Sequence, residues 1–388
     1  MNKYCSIFSQ LLQLFPRLEF QQLVQQTRSE RHCRGFSSWS QFVSMLFCQF
    51  GHAFSLREIS GGLRSCEGKL RHLGITAPAK SSLAYANEHR PSELYQLLFY
   101  KLLGRCQSQL ILGKRKFRFK NKLFSLDSTL IPLCIEIFDW AHYRRTKGAV
   151  KLHLLLDHDG YLPSFAVITE GKVSDVKAAW QFPLEAGTIV VDDRGYNDYK
   201  LFGHWTAGGI YFVTRMKDNA VYRVVKKNPV NLEQNILKDE VIEFTDAQSY
   251  EKCPYQLRRI EFYNEEKGEI LVFLTNHRKL VAATIAAIYQ ERWRIETFFK
   301  FLKQNLKIKT FVGTSANAVE TQIWTALIAI LVLRFLQLKS KFGWSLSNLV
   351  ALLRMNLFTH RDLWAWLDQP YEVLPVEYEG EQLKMDLT

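Results

Sequence analysis

The stretch GTIVVDDRGYNDYKLFGHW, Gly187–Trp205, changes its grammar twice within nineteen residues. Ile189, Val190 and Val191 form an unbroken β-branched run, the pattern of a buried strand. Asp192, Asp193 and Gly195 then supply turn chemistry. From Asp198 the pattern becomes a short helix. Strand, turn and helix in this order read as part of an α/β sheet, and in open α/β sheets ligands gather where strands end. A lone acid at a strand end usually caps a turn. A second acid from a neighbouring strand would raise its meaning.

Working outward, the same sheet extends in both directions. KLFSLDSTLIPL (122–133) is apolar and β-branched around Asp127. AVKLHLLLDHDGYLPSFAVITEG (149–171) is a hairpin, its apolar runs flanking the turn-forming cluster Asp157–Gly160. SDVKAAWQFPLE (174–185) is a short helix capped by Ser174 or Asp175. GGIYFVTRMKD (208–218) is another strand. The fold class is therefore α/β, a mixed sheet flanked by helices. Residues 216–280 hold short alternating segments and form a separate β-rich insertion between two parts of the core, 111–215 and 281–340. A helical tail occupies 341–388.

Residues 1–110 read as all helical. SSWSQFVSMLFCQFG (37–51) opens with a capping box, Ser38 and Gln41, and SLREISGGLRSCEGKL (55–70) with another, Ser55 and Glu58. Gly74 and Pro78 separate the latter from a helix starting at Ser81 or Ser82. That outline fits a helix-turn-helix and also fits an ordinary helical bundle.

The formal net charge is +13, which favours polyanionic partners, nucleic acid first, unless the chain is merely basic. A basic segment, Ile111–Lys122, leads directly into the Asp127 strand. The seven cysteines are scattered without a CxxC pair, against a structural zinc site and for a reducing compartment. No signal peptide is apparent at the N-terminus. The most apolar run, Ile323–Leu333, is eleven residues long and ends at Arg334, too short for a bilayer. These features point to a cytoplasmic protein with no membrane partner.

A third acid lies in YQERWRIETFFKFLK, Tyr289–Lys303. On one helix at about 100° per residue, Tyr289, Arg292, Glu296, Lys300 and Lys303 share one side. Ile295, Phe298, Phe299 and Leu302 cover the other. By helix geometry alone, Glu296 reads as an ion-pair partner of Arg292 and Lys300.

The spacing Tyr289-x2-Arg292-x3-Glu296-x6-Lys303 resembles the YREK signature of DDE transposases from bacterial insertion sequences, in the insertion-sequence-four group. SLDST (125–129) resembles that family's first-aspartate motif and VVDDRGYND (190–198) its second. FVTRMK (212–217), LTNHR (274–278), FVGTSANAVETQIWTALIA (311–329), FSLREISGGL (54–63) and SSLAYANEHR (81–90) are similar too, so the resemblance runs from about residue 36 to 340. It implies an RNase H-like core with an inserted β-rich segment and an N-terminal DNA-binding domain.

The resemblance also implies that Asp127, Asp193 and Glu296 are catalytic and hold metal. Asp193 is preferred over Asp192 because it abuts RGY. Three carboxylates suit hard Mg²⁺, for which Mn²⁺ may substitute. Two ions roughly 3.5–4 Å apart would serve an in-line phosphoryl displacement. Tyr289, Arg292, Trp293, Lys300, Lys303 and Arg194 are the candidate DNA contacts, with Trp293 able to stack a displaced base or to sit in the core. The implied partners are double-stranded DNA (terminal inverted repeats and target) and a second copy of the chain in a homodimer. The implied reaction is cleavage at the element ends and joining of the 3′-hydroxyls to target DNA in the bacterial cytoplasm, at the nucleoid. Another RNase H-like nuclease or resolvase, or a non-catalytic DNA-binding derivative, fits part of the same pattern.

Overall fold

A computed structural model describes residues 5–31, 33, 35–109, 116–134, 136–138, 140–144, 147–230 and 232–372. Of the basic segment, residues 111–115 lie outside this set, as does 373–388 of the C-terminal tail. Seven helices come first: α1 (Ile7–Leu12), α2 (Arg17–Thr27), α3 (Ser38–Phe50), α4 (Leu56–Ser65), α5 (Glu67–Leu70), α6 (Lys80–His89) and α7 (Glu93–Gln109). Ser55 caps α4 as expected, its hydroxyl accepting from the Glu58 amide at 3.2 Å. The cap of α3 is Ser37 rather than Ser38, because Ser37 Oγ is the atom that accepts from the Ser40 amide. α6 begins at Lys80, a residue before the expected start.

The strands β1 (Leu123–Leu133), β2 (His142–Arg144), β3 (Lys147–Asp157) and β4 (Leu162–Glu170) follow, then α8 (Asp175–Ala179), β5 (Ile189–Val191), α9 (Tyr199–Ala207) and β6 (Tyr211–Arg215). β4, β3, β1, β5 and β6 lie in that order. The first two pairings are antiparallel and the last two parallel, the strand order of an RNase H-like core. The segment after β6 contains β7 (Tyr222–Lys227), β8 (Ile236–Phe244), α10 (Ala247–Lys252), β9 (Leu257–Asn264) and β10 (Glu269–Thr275). It is β-rich, as its alternation suggests, but not a separate sheet. β10 pairs antiparallel with β6, so the inserted strands prolong the core into one ten-stranded sheet. Pairing between residues some sixty positions apart leaves no local trace in sequence, which is why the segment reads as independent.

The chain closes with α11 (Ala282–Glu291), α12 (Trp293–Asn305), α13 (Ala316–Lys339), α14 (Leu346–Asn356) and α15 (Leu363–Asp368). Side chains alternate across each strand, and β1 shares its apolar residues among three cores, with Ile131 and Leu133 in the largest. Phe124 and Leu126 join the cluster under α9, whereas Leu123 joins the cluster under α11. The largest cluster joins α1–α7 to α12–α15 and one face of β3 and β4. The eleven-residue apolar run is thus the middle of a 24-residue helix. By length and composition α13 could cross a membrane, but 89% of its most apolar window is buried inside the protein. Here the core takes the place that lipid would otherwise hold.

One polar side chain inside this core is fully hydrogen-bonded to backbone. Gln322, fully buried on α13, donates to the carbonyls of Lys307 (2.7 Å) and Thr310 (2.8 Å) and accepts from the Val312 amide (2.9 Å). It pins the α12–α13 connection. Replacing it with leucine would leave one buried and two partly buried backbone groups without their partner, at about 1–3 kcal/mol for the buried group and less for the others. Gln322→Leu is expected to lower stability by roughly 3 kcal/mol, seen as a fall in Tm. The exposed control Gln25→Leu on α2 should leave Tm within a degree or so.

Candidate active site

β1 and β5 run parallel with Leu123 opposite Ile189 and Ser125 opposite Val191. Continuing that register sets Asp127 beside Asp193. Parity separates the two adjacent aspartates. Asp193 shares the side of Ile189 and Val191, which pack toward α11. Asp192 shares the side of Val190, in the core under α9. Its amide still bonds the Val213 carbonyl of β6 at 3.2 Å. Asp192 is fully buried, neither carboxylate oxygen makes a hydrogen bond of normal geometry, and burial holds its carboxyl well above the usual range. The nearby Thr214 hydroxyl tempers that shift but donates to the Asp193 carbonyl.

Asp193 Oδ1 accepts from the Gly195 amide at 2.8 Å, capping a single 3₁₀ turn, Arg194–Tyr196. A Cβ on Gly195 would stand 2.9 Å from that oxygen. Glycine is required there for close approach, not for an unusual backbone angle.

The third acid arrives from the helices. The expected single helix bends at Arg292, between α11 and α12. Arg292 keeps helical angles (φ −53°, ψ −32°), but its amide bonds the Tyr289 carbonyl, three residues back, at 3.1 Å. α12 rests its apolar side, Ile295, Phe298, Phe299 and Leu302, on the large core. Glu296 projects from the other side. Arg292, 9% exposed at its side chain, lies between the acids: 2.7 Å from Glu296 Oε1 and 3.5 Å from Asp127 Oδ2.

This cation does not neutralise the cluster. Burial pushes the Asp127 carboxyl up to about 7, and Asp193 and Glu296 add to the shift. The Ser128 amide and Arg292 oppose it without prevailing. Burial would lower the Arg292 guanidinium, yet Tyr289, Asp127 and Glu296 together raise it. Among the described residues no three Asp, Glu, His or Cys side chains stand close enough to hold a metal ion as placed. The donor chemistry nevertheless fits a hard cation: all-oxygen ligands and an excess of negative charge around one buried carboxyl.

The other expected residues disperse. Tyr289 is buried on α11 with its ring 4.8 Å from that of Phe273. Lys303 Nζ donates to the Leu130 carbonyl of β1 at 2.9 Å. Trp293 is 50% exposed, so it is not a core residue, and Lys267 stands 4.5 Å over its ring. Arg194 pairs with Asp218 at 2.7 Å and turns from the acids. Lys300 is exposed and lines a different cleft. A cleft of about 440 Å³ is lined by Arg215, Lys267, Tyr289, Arg292 and Trp293. It brings these cations and Trp293 to one opening beside the acids.

Glu291 is a residue that the sequence reading missed. It is buried at the bend, accepting from Lys116 (2.5 Å), the Tyr161 hydroxyl (3.0 Å) and Arg294 (3.4 Å). Two of those partners are 175 and 130 residues away in sequence, so no spacing signals them.

The chain is similar to known proteins along most of its length. The transposase DDE domain family matches residues 118–332, and a domain family of unknown function matches residues 4–76. A Sinorhizobium fredii protein described as transposase y4zB is 31% identical over 306 residues, covering 77% of this chain and 83% of its own. A Geobacillus stearothermophilus protein described as a transposase for insertion sequence element IS5377 is 30% identical over 260 residues, covering 66% and 67%. Among solved structures, the cryo-EM structure of the piggyBac transposase synaptic complex with hairpin DNA aligns over 97% of this chain and 84% of that one. Its TM-score is 0.42 at 9% identity.

The raised Asp127 carboxyl makes stability depend on pH. Between about 4 and 7 the folded protein keeps a proton that the unfolded chain releases. That contribution is full at low pH and lost as pH rises through the folded value. In chelator-treated protein, Asp127→Asn should therefore gain on the parent by about 1.4 kcal/mol per pH unit across this window. Urea denaturation at several pH values measures it, and parallel profiles for the two proteins would refute the burial of a titrating Asp127.

Proposed function

Because this chain belongs to the DDE transposases of insertion sequences, we propose that it cuts DNA at the ends of its element and joins the 3′-hydroxyls to target DNA, with Asp127, Asp193 and Glu296 as the catalytic acids. The observation that carries this reading is that the buried Arg292 bridges Asp127 of β1 and Glu296 of α12 while Asp193, just beyond β5, acts on the same Asp127 carboxyl. Acids from three elements influencing one buried carboxyl exceed what caps or surface ion pairs require.

Asp127, Asp193 and Glu296 would hold Mg²⁺, two ions in the full site, whose role when bound is to activate the oxygen nucleophile and stabilise the leaving oxygen. The chain's own residues do the rest. The sheet fixes Asp127 and Asp193 on neighbouring strands, and the apolar side of α12 fixes Glu296. Arg292 restrains repulsion among the acids and offers a guanidinium to the scissile phosphate. Lys303, tied to the β1 backbone, places a second cation within reach of the same strand of DNA. Tyr289 stiffens the bend from beneath. Trp293, exposed at the rim of the cleft with Lys267, offers a stacking surface for an unpaired base.

Residues 1–110 would read the terminal inverted repeat. Within them α6 is the candidate reading helix, with Ser81, Tyr85, Glu88 and His89 exposed along it, although α5 and a 3₁₀ turn stand between α4 and α6 where a helix-turn-helix would have a short turn. The core spans 111–215 and 281–340, the insertion 216–280 and the tail 341–388. Joining two ends at once calls for two active sites, so a homodimer assembles on the DNA.

Strand transfer by the purified full chain, with Mg²⁺ and a plasmid carrying the element's ends, tests the reading. Asp127→Asn, Asp193→Asn and Glu296→Gln should each lower it by at least about 100-fold while end binding persists. Full transfer by Glu296→Gln would remove that residue from the site. Cleavage of branched DNA without end joining would favour a resolvase instead. Equal affinity and salt slope on end and random DNA would refute specific recognition.

A further inference from the structure

The apolar run of α13 ends at Arg334, and that arginine has no acid to answer it. It is partly buried, its Nε is sealed from solvent without a hydrogen-bond partner, and one terminal nitrogen donates to Gln337 Oε1 at 2.9 Å. Its guanidinium stands 5.9 Å over the Tyr161 ring. The charged group acting on it is Arg294, a like charge, and burial pulls it down to about 10. Among the described residues no carboxylate comes within ion-pair distance of Arg334. An uncompensated buried cation is costly unless something else completes it.

Arg334 opens onto a cleft of about 450 Å³ between α12, α13 and α14. Lys300 lines the same cleft, with Thr297, Asn305, Gln337 and Ser347; Thr297, Asn305 and Gln337 each donate to a backbone carbonyl, which leaves the second amide protons of Asn305 and Gln337 and the Ser347 hydroxyl to donate. None of its lining residues is acidic. Thr297 follows Glu296 by one residue, about 100° around the helix, so the cleft lies on the flank of α12 and beside the acid cluster. Two cations and a set of donors without an acceptor charge describe a receptor for an anion, and a guanidinium fork favours a planar or tetrahedral oxyanion.

We propose that this cleft is a second anion site, built on Arg334 and Lys300, that takes a phosphate oxyanion. The same chemistry could be presented by a backbone phosphodiester of bound DNA or by free phosphate. The cleft shares no lining residue with the acid cluster, and only its DNA source rests on the transposase reading above.

The test compares the full-length parent, Arg334→Gln and Lys300→Gln. Thermal melting in phosphate against chloride at matched ionic strength reports the free anion, with phosphate raising Tm of the parent. Both variants should lose that rise. In chloride Arg334→Gln should melt no lower than the parent, since it removes an unpaired charge. The salt dependence of duplex binding reports the backbone source: loss of one phosphate contact flattens the log–log slope by about one unit. A lost phosphate response with an unchanged slope assigns the site to a free anion, and a flattened slope assigns it to DNA. If both readouts match the parent, or Arg334→Gln melts lower in chloride and still responds to phosphate, the arginine is a structural cation and the proposal is overturned. Lys300→Gln, altering an exposed side chain, carries the same two readouts if Arg334→Gln fails to fold. Strand transfer failing in the parent while these responses hold would refute the function and leave this site standing.

Discussion

Arg292 is the constraint around which the site is built. A guanidinium buried at a helix bend would be expensive alone, and it is tolerated because Asp127 and Glu296 flank it. Two acids from a strand and a helix would repel each other at this range, and they are tolerated because Arg292 divides them. Each charge thus depends on the others. The backbone has to deliver all of them with little freedom. Asp127 sits mid-strand in the sheet, and Glu296 sits on a helix whose far side is locked by Ile295, Phe298, Phe299 and Leu302.

The bend that carries Arg292 is itself anchored from behind. Glu291 gathers Lys116, Tyr161 and Arg294, so the residue before the bend is held by the segment entering β1, by the β3–β4 turn and by α12. Tyr289 seals the inner side against Phe273. The large core continues from α12 through α13 to the N-terminal helices. A load on α3, α6 or α7 is therefore borne by the same apolar cluster that seats Glu296. The first seven helices and the acid-bearing helix share one apolar cluster, although α7 ends at Gln109 and α12 begins only at Trp293.

The sequence disclosed what depends on local chemistry. The run Ile189–Val191, the hairpin at Asp157–Gly160 and the cap at Ser55 all read correctly, because burial on both faces, turn residues and capping oxygens act over a few positions. Asp192 and Asp193 fall on opposite sides of the chain in the structure, a separation that only a motif suggests in sequence. What stayed hidden depends on distant partners. The bend at Arg292 leaves the 3.6-residue periodicity almost intact. β10 finds β6 across the whole insertion. The helix around Ile323–Leu333 is more than twice its apolar run, because Thr321, Gln322 and Thr325 are buried as polar residues with their hydrogen bonds supplied by neighbouring backbone or, for Thr321, not supplied by the protein at all.

The cations around Glu296 also looked interchangeable on a helical projection, and they are not. Arg292 is engaged with two carboxylates, Lys303 with a backbone carbonyl of β1, and Lys300 with a separate cleft. Only one of the three pairs with the acids. Burial first, and the charges of Asp193 and Glu296 after it, hold the Asp127 carboxyl near 7, and the one guanidinium beside it does not offset them. A small dication entering between them would relieve that repulsion more effectively than Arg292 does, since it brings twice the charge to shorter distances from oxygen. Arg292 would then be released from part of its load on Glu296. A guanidinium freed in this way would remain beside the Tyr289 ring, with donors left to offer a phosphate oxygen.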